Sequence, residues 1–267
     1  MKRFFSYVQL QFRHLPFYRF EHMMRCLYGL LAMFAVRALW TSLWRENPSL
    51  VGKDLPEMIT YAMTAMAIDI LFYPGGDNSV HVYMSRRIRN GNIEADLLCP
   101  MDFQHMMLLG NASRILVLLL TTVLPVTLFA FLAMDFRLPA SAGNAAFFFL
   151  SLILAYFVFF GTDFLLGLLA MVIKNTRYVS WAYRAISDFF SGKLVPLWIF
   201  PAALRTVSYF LPFRCVYDIP LNIWICSFSP EETARALLTQ LFWAVFLFLM
   251  GRICWHSVRK RYTVQGG

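Results

Sequence analysis

The chain has 267 residues, of which 59% are hydrophobic and 15% are charged, and its mean hydropathy is +0.57. A soluble domain carries about 25% charged residues, so the composition excludes a soluble globular fold and indicates an all-α polytopic membrane protein. The net charge of +9 is interpreted as a positive bias of the cytoplasmic loops rather than a nucleic-acid-binding surface. No nucleic-acid partner is therefore expected.

Residues 1–20 are predicted to form an interfacial helix. Apolar side chains recur at helical spacing at Phe5, Val8, Phe12 and Leu15, while Lys2, Arg3, Ser6, Gln9 and Arg13 occupy the other side. An apolar stripe opposite cations is typical of an amphipathic helix on lipid head groups. Because this region lacks an uninterrupted apolar core, no removable signal peptide is expected.

Six transmembrane helices are predicted within a single transmembrane domain, 1–267. Continuous apolar runs are expected to cross the membrane at about 23–44, 58–73, 107–134, 145–173 and 236–258. The remaining stretch, 178–213, is divided by Gly192, Pro196, Pro201 and Pro212. Irregular backbone is tolerated at membrane depth only where protein or a wet cavity shields it. We therefore expect a broken or re-entrant segment after the fifth span.

The basic residues predict that both termini are cytoplasmic. Lysine and arginine concentrate in the N-terminal segment and in 86–89, 174–177 and 259–261, and such residues favour cytoplasmic loops. The expected location is the plasma membrane, as an integral multi-pass protein of the bacterial cytoplasmic membrane.

No motif for intrinsic catalysis is found. The stretch SGKL at 191–194 differs from a phosphate-binding loop, because position 187 is Ser instead of Gly and position 194 is Leu. The histidines and cysteines show no metal-ligand spacing, so no catalytic residue, metal or cofactor is expected in this chain. Whether Cys215 and Cys226 form a disulfide is left open.

Four ionisable residues are predicted to lie inside the membrane, at Arg37, Asp163, Arg184 and Asp188. Such residues are costly in lipid and are functional candidates by default. Arg184 and Asp188 are four residues apart, so they would share a helix face and neutralise one another. For Arg37 and Asp163 two interpretations stay open, namely pairing between helices or contact with a translocated substrate.

A polar insert at 75–105 is predicted to form a two-helix elbow on the cytoplasmic face; we call it the elbow. Val80–Arg89 has helical periodicity, Asn90-Gly91 is a turn signal, and a second short helix starts at Ile93 and stops at Pro100. A basic loop that merely follows the positive-inside rule would explain the arginines. It would not explain the glycine-centred turn with apolar residues around it.

The elbow sequence IRNGNIEADLLCPMDFQ resembles the pattern I-R-x-G-x-I-x-x-x-L-L-x-P that follows the second span in permease subunits of type-2 ATP-binding-cassette (ABC) exporters. The later stretch FFSGKLVPLWIFPAALRTVSYFLPFRCVYDIP is similar to their G-x-x-x-P-L-x-x-F-P and L-P-F elements. The resemblance extends over essentially the whole chain. The order and spacing of the motifs carry it more than any single motif does.

The resemblance implies a transmembrane subunit that pairs with a second permease, the same or a paralogue, and with two separate ABC ATPase subunits that bind ATP and Mg²⁺. Residues 192–216 would form a re-entrant segment in the outer leaflet. The elbow would dock in a cleft of the ATPase through Arg86, Arg87, Arg89, Gly91, Ile93, Glu94, Leu97 and Pro100.

The leading hypothesis is therefore an export permease that uses ATP hydrolysed by a separate chain. Two alternatives compete with it. One is a non-transporting scaffold or assembly component, which predicts no stable ATPase partner. The other is a membrane enzyme acting on lipid, with Asp163 or Asp188 in the chemistry.

Overall fold

The computed structural model describes residues 2–14, 19–47, 52–73, 79–134, 136–139, 141–173 and 177–261. The first seven helices are α1 (Lys2–His14), α2 (Arg19–Glu46), α3 (Leu55–Phe72), α4 (Val80–Arg89), α5 (Ile93–Leu97), α6 (Phe103–Leu118) and α7 (Leu124–Ala133). The next five are α8 (Ala142–Val172), α9 (Arg177–Phe190), α10 (Ala202–Phe210), α11 (Asp218–Trp224) and α12 (Pro230–Arg261). Within these ranges all regular structure is helical.

Five helical units of the described chain are long and apolar enough to cross a membrane: α2, α3, the continuous α6–α7 unit, α8 and α12. They agree with the five continuous runs predicted from sequence. The predicted total of six spans is not confirmed. Helix α9 has 14 residues and is therefore about 21 Å long, less than the ~30 Å of a hydrocarbon core.

The stretch after α9 is broken at the four predicted positions. Gly192 has φ +80°, a conformation that glycine adopts without strain. Pro196 precedes a 3₁₀ turn at Leu197–Ile199, Pro201 is the N-cap of α10, and Pro212 begins a second 3₁₀ turn. The backbone at the first break is held by protein groups, because the Tyr61 hydroxyl donates to the Gly192 carbonyl at 2.7 Å.

The α6–α7 unit contains a π-helical turn at Leu119–Val123, directly before Pro125. Proline lacks the N–H that would bond to the carbonyl four residues earlier, here that of Thr121. The Cys26 thiol of α2 donates to that carbonyl at 3.8 Å. The helix thus accommodates Pro125 with a π-turn, which is a common response to such a disruption.

Helix α8 lies at the centre of the bundle. It packs against α4, α11 and α12, while α2 packs against α3. A Cβ at Gly161 of α8 would lie 2.7 Å from Leu247 Cβ of α12, so glycine is what allows the two helices to approach this closely. The close contact fixes α12 against α8 over the middle of the bundle.

Helix α1 covers part of the predicted 1–20 segment, from Lys2 to His14, and contacts α6. Phe5 is 65% exposed and Phe12 is 39% exposed, so much of the surface of both side chains makes no contact with the rest of the chain. Placement of α1 at a membrane interface stays a prediction. Leu15, which completed the predicted stripe, lies outside the described residues.

The start of α12 has a capping box. The Ser229 backbone N–H donates to the Glu232 carboxylate at 2.8 Å, and the Glu232 N–H donates to Ser229 Oγ at 3.3 Å. Cys215 is buried, Cys226 is exposed, and both are free thiols. The disulfide left open by the sequence is therefore not formed in this structure.

Candidate functional site

The two helices of the elbow are joined by a Schellman motif. The Gly91 N–H donates to the Ile88 carbonyl at 3.1 Å, and the Asn92 N–H donates to the Arg87 carbonyl at 2.9 Å. Gly91 has φ +69°, the left-handed conformation that this motif requires. The asparagine-glycine signal in the sequence thus gives a defined reversal between α4 and α5.

An ion pair holds α4 against α5. Arg87 Nε and Nη2 donate to the two oxygens of Asp96, each at 2.7 Å, the bidentate geometry that makes such pairs strong. The Tyr83 ring lies beside Arg87, with 5.8 Å between the guanidinium carbon and the ring centroid. The hydrogen bonds to Asp96 raise the pKa of Arg87, and burial together with the Asp96 charge raises the pKa of Tyr83.

The elbow divides the eight predicted docking residues into two groups. Arg86, Arg89, Gly91, Glu94 and Pro100 are exposed. Ile93 is buried, while Arg87 and Leu97 are half-buried, so these three contribute to the internal structure of the elbow. Leu98 was not among the predicted docking residues, yet it is 84% exposed at the C-cap of α5. Its apolar character next to Leu97 was visible in the sequence.

The elbow is attached to α8 by Asp163. The Asp163 carboxylate accepts from the Val80 N–H at 2.6 Å and from the His81 N–H at 3.4 Å, and it also pairs with the His81 ring Nδ1. A carboxylate at a helix N-terminus satisfies unpaired N–H groups and interacts favourably with the helix dipole. In this structure Asp163 therefore makes a contact between helices.

Gly167 lies one turn after Asp163 on α8 and allows α4 to pack closely. A Cβ there would lie 2.4 Å from Met84 Sδ and 3.3 Å from His81 Cα. Met84 is completely buried. Asp163 and Gly167 thus fix α4 on α8 by a polar contact and a steric contact on the same face.

The far end of the elbow is attached to α12. Phe103 stacks on Trp255 with ring centroids 4.5 Å apart, and Asp102 pairs with Arg252. Asp102 also caps α6 by accepting from the His105 N–H at 3.2 Å. Burial alone would raise the pKa of Asp102, but the hydrogen bonds from Arg252 and His105 lower it overall. The elbow therefore contacts two of the long helices at once.

A second polar cluster lies near the broken segment and includes the predicted pair Arg184 and Asp188. Arg184 Nε lies 3.5 Å from Asp188 Oδ2, as the spacing predicted. The Asp69 carboxylate of α3 lies 2.8 Å from Lys193 Nζ and 3.1 Å from Arg184 Nη2, and it accepts from the Tyr217 hydroxyl at 2.9 Å. The cluster balances two acids with two bases.

Asp69 and Lys193 were missed as members of this cluster. The signal for Asp69 was its acidic side chain inside the apolar run AIDILF, and Lys193 belongs to the SGKL stretch that was considered only as a nucleotide motif. Their partners lie on other elements, so spacing along the chain does not reveal them. Both residues are more than nine-tenths buried.

Arg37 belongs neither to the elbow nor to the polar cluster around Asp69. It lines a pocket at the N-terminal end of α3. Arg37, Thr41 and Arg45 of α2 contribute one wall of this pocket, whose volume is about 460 Å³. Their spacing of four residues places them on one helix face. Sequence reasoning identified Arg37 but not the pocket.

Among the described residues, no group of three or more His, Cys, Asp or Glu side chains could hold a metal ion. The elbow has an ordered, charged surface suited to contact with another protein, and the bundle has apolar helices of membrane-spanning length.

Comparison with known proteins gives one family. The family described as ABC-2 family transporter protein matches residues 26–266, which is nearly the whole chain. No curated protein matched. The chain therefore belongs to the ABC-2 family of transporter proteins and is a multi-pass membrane permease of the class whose ATPase is a separate subunit.

Proposed function

We propose that this chain is the transmembrane permease subunit of an ATP-driven ABC exporter and that the elbow is its docking element for the ATPase. Two ATPase subunits would bind ATP and Mg²⁺, and a second permease, either an identical copy or a paralogue, would complete the translocation path. The N- and C-termini and the elbow would then lie on the cytoplasmic side.

The observation that carries this proposal is the combination of an exposed charged surface with a fixed base. Arg86, Arg89 and Glu94 are exposed on the elbow, whereas the start of α4 is bound to α8 through Asp163. A partner that moves the exposed surface would therefore move α8 with it. A mobile basic loop would not transmit a displacement in this way.

The internal contacts of the elbow support the same mechanism. Because the Arg87–Asp96 pair and buried Ile93 connect α4 with α5, the two helices would move as one unit. The contacts of Asp102 and Phe103 with α12 would carry the movement to a second span. ATP-driven closure of the ATPase pair would in this way rearrange the permease and release substrate on the outer side.

The two alternatives have no comparable support. The Asp163 carboxylate is occupied by the N-terminus of α4, and Asp188 is paired with Arg184 and Lys193, which does not favour either residue as a catalytic group on lipid. The exposed charged surface of the elbow, fixed on α8, fits a docked partner that transmits movement better than it fits a static scaffold.

The test is a mild-detergent purification of tagged full-length protein, with mass spectrometry of the co-purifying chains. We expect an ABC ATPase in the wild-type sample and a loss of about tenfold or more in the double variant Arg86→Glu with Arg89→Glu. The matched control reverses Arg13 and Arg259, two arginines exposed elsewhere on the predicted cytoplasmic side. An ATPase retained equally by both double variants would contradict docking through the elbow.

A further inference from the structure

The pocket beside Arg37 has a lining that combines positive charge with apolar surface. Its residues are Arg37, Thr41, Arg45, Leu55, Pro56, Ile59, Phe136 and Arg137. Three of these eight are arginines, and none of the lining residues that the structure describes is acidic. Glu57, one residue beyond Pro56, lies 3.6 Å from Lys53 Nζ, so the nearest carboxylate of α3 has another cation as its partner.

The three arginines come from two different parts of the fold. Arg37 and Arg45 are eight residues apart on the same face of α2, which separates them by about 12 Å along the helix axis. Arg137 follows α7, and its backbone is fixed because its N–H donates to Thr60 Oγ1 at 3.1 Å and its carbonyl accepts from Trp224 Nε1 at 3.1 Å. The arrangement therefore brings arginines from separate parts of the chain to one pocket.

The size and lining of the pocket suit a head group with part of an attached chain. Its volume of about 460 Å³ lies within the range of ~300–1,000 Å³ for small-molecule sites. Arg37 belongs to the membrane-spanning helix α2 and contributes a guanidinium group to the pocket wall. Ile59 and Phe136 are buried next to it and provide apolar wall.

We propose that this pocket binds a phosphoryl group carried on an apolar molecule. Guanidinium groups donate two parallel hydrogen bonds to phosphate oxygens, and several arginines around one anion are the usual recognition chemistry. The apolar lining would hold the acyl or isoprenoid part of the ligand. Because α3 begins at the pocket and its other end leads to the elbow, the site lies on the side of the membrane opposite the elbow.

This inference goes beyond the proposed function, since it rests on the pocket alone and needs no ATPase. The ligand chemistry has two possible sources, a lipid head group and free phosphate. Purified full-length protein is titrated with dioleoylphosphatidylglycerol and, separately, with inorganic phosphate, and binding is followed by native mass spectrometry and by calorimetry.

The variants are Arg45→Gln with Arg137→Gln, both of which change exposed side chains and so should leave the fold intact. The control is Arg235→Gln, because Arg235 is exposed at the same end of the bundle and pairs only loosely with Glu231, at 3.7 Å. A thermal unfolding scan in detergent checks each variant. If the double glutamine variant has a lower unfolding midpoint than the wild type, the double variant Arg45→Lys with Arg137→Lys is used in its place.

We expect phosphatidylglycerol to bind the wild type and the Arg235 control equally, and about tenfold more weakly to the double glutamine variant. The lysine pair should lose several-fold, because lysine keeps the charge but not the forked geometry. Inorganic phosphate and phosphatidylglycerol binding with equal affinity, both through the same arginines, would support the phosphoryl site. The ligand would then be a free anion instead of a lipid. Binding of both probes that is unchanged in the variants, or absent from the wild type, would overturn the proposal.

Discussion

Asp163 is a buried carboxylate, and the residues that it contacts lie about 80 positions earlier in the chain. Its side chain accepts the first N–H groups of α4, so it stabilises the end of a helix that is not its own. An anionic group at this position contributes about 1 kcal/mol or more when it is partly buried. At the scale of single residues, the polar part of the attachment of the elbow to α8 thus relies on one acid, beside the close packing at Gly167.

Replacing this acid should loosen the start of α4. The substitution Asp163→Asn keeps the shape of the side chain but removes its negative charge, which weakens its contact with the first N–H groups of α4. We therefore expect amide hydrogen exchange at residues 80–83 to become about tenfold faster. Exchange is measured by mass spectrometry on the full chain in detergent. The matched control is Asp54→Asn, because Asp54 is the N-cap of α3 but makes no side-chain capping bond. Equal exchange in both variants would show that the carboxylate does not hold α4.

The sequence identified Asp163 as a candidate but not its role. An acidic residue inside the run FFGTDFLLG is visible without a structure, because ionisable residues in membrane spans are rare. Its partner is not visible, since the Val80 N–H is a backbone group with no sequence signature. Lys193 gives the same lesson, because its contact with Asp69 joins segments far apart in the chain.

At the scale of helices, the elbow is a local structure with long-range attachments. Its local part was predictable, because the Asn90-Gly91 turn and the stop at Pro100 follow from the conformational preferences of neighbouring residues. Its attachment to α8 was not, because close packing at Gly167 depends on how two distant helices cross. The division of the arginines into exposed Arg86 and Arg89 and internal Arg87 also required the fold.

The internal role assigned to Arg87 can be separated from docking by a charge exchange. Arg87→Asp should weaken ATPase co-purification because it breaks the elbow, and so should Asp96→Arg. The variant carrying both changes should recover most of the binding, since the pair is restored with reversed polarity. Arg86→Asp provides the comparison, because no exchange with Asp96 should rescue it. Failure of the exchange to restore binding would place Arg87 on the docking surface instead.

Close packing of α4 on α8 gives a second test at this scale. Gly167→Ala should destabilise the protein by about 1–3 kcal/mol, because the added methyl overlaps Met84. Met84→Ala leaves a cavity and costs about 2–5 kcal/mol, but the double variant should cost clearly less than the sum. Thermal unfolding in detergent measures all three. Gly110→Ala is the control, because a Cβ there meets no atom within 4 Å.

At the scale of the whole molecule, the elbow and the arginine-lined pocket lie at opposite ends of α3. The buried charge cluster lies near the C-terminal end of α3, where Asp69 contacts α9 through Arg184 and the broken segment through Lys193. Removing one partner of a buried ion pair leaves the other charge uncompensated, which is costly. A cluster of this kind therefore requires that all of its side chains lie together. The cluster thus joins the segment that the sequence predicted to be broken to the central bundle.

The last prediction concerns this cluster. Asp69→Asn should destabilise the protein by about 3–5 kcal/mol, because it leaves two cations with a single acid in a buried site. Adding Lys193→Met should recover a large part of that loss, since the remaining Arg184 and Asp188 are again balanced. Unfolding midpoints in detergent are compared with Arg235→Met, which breaks an exposed pair and should change stability by less than about 1 kcal/mol. If Lys193→Met instead adds its own cost to that of Asp69→Asn, the two residues act independently, and the broken segment is held by packing rather than by charge.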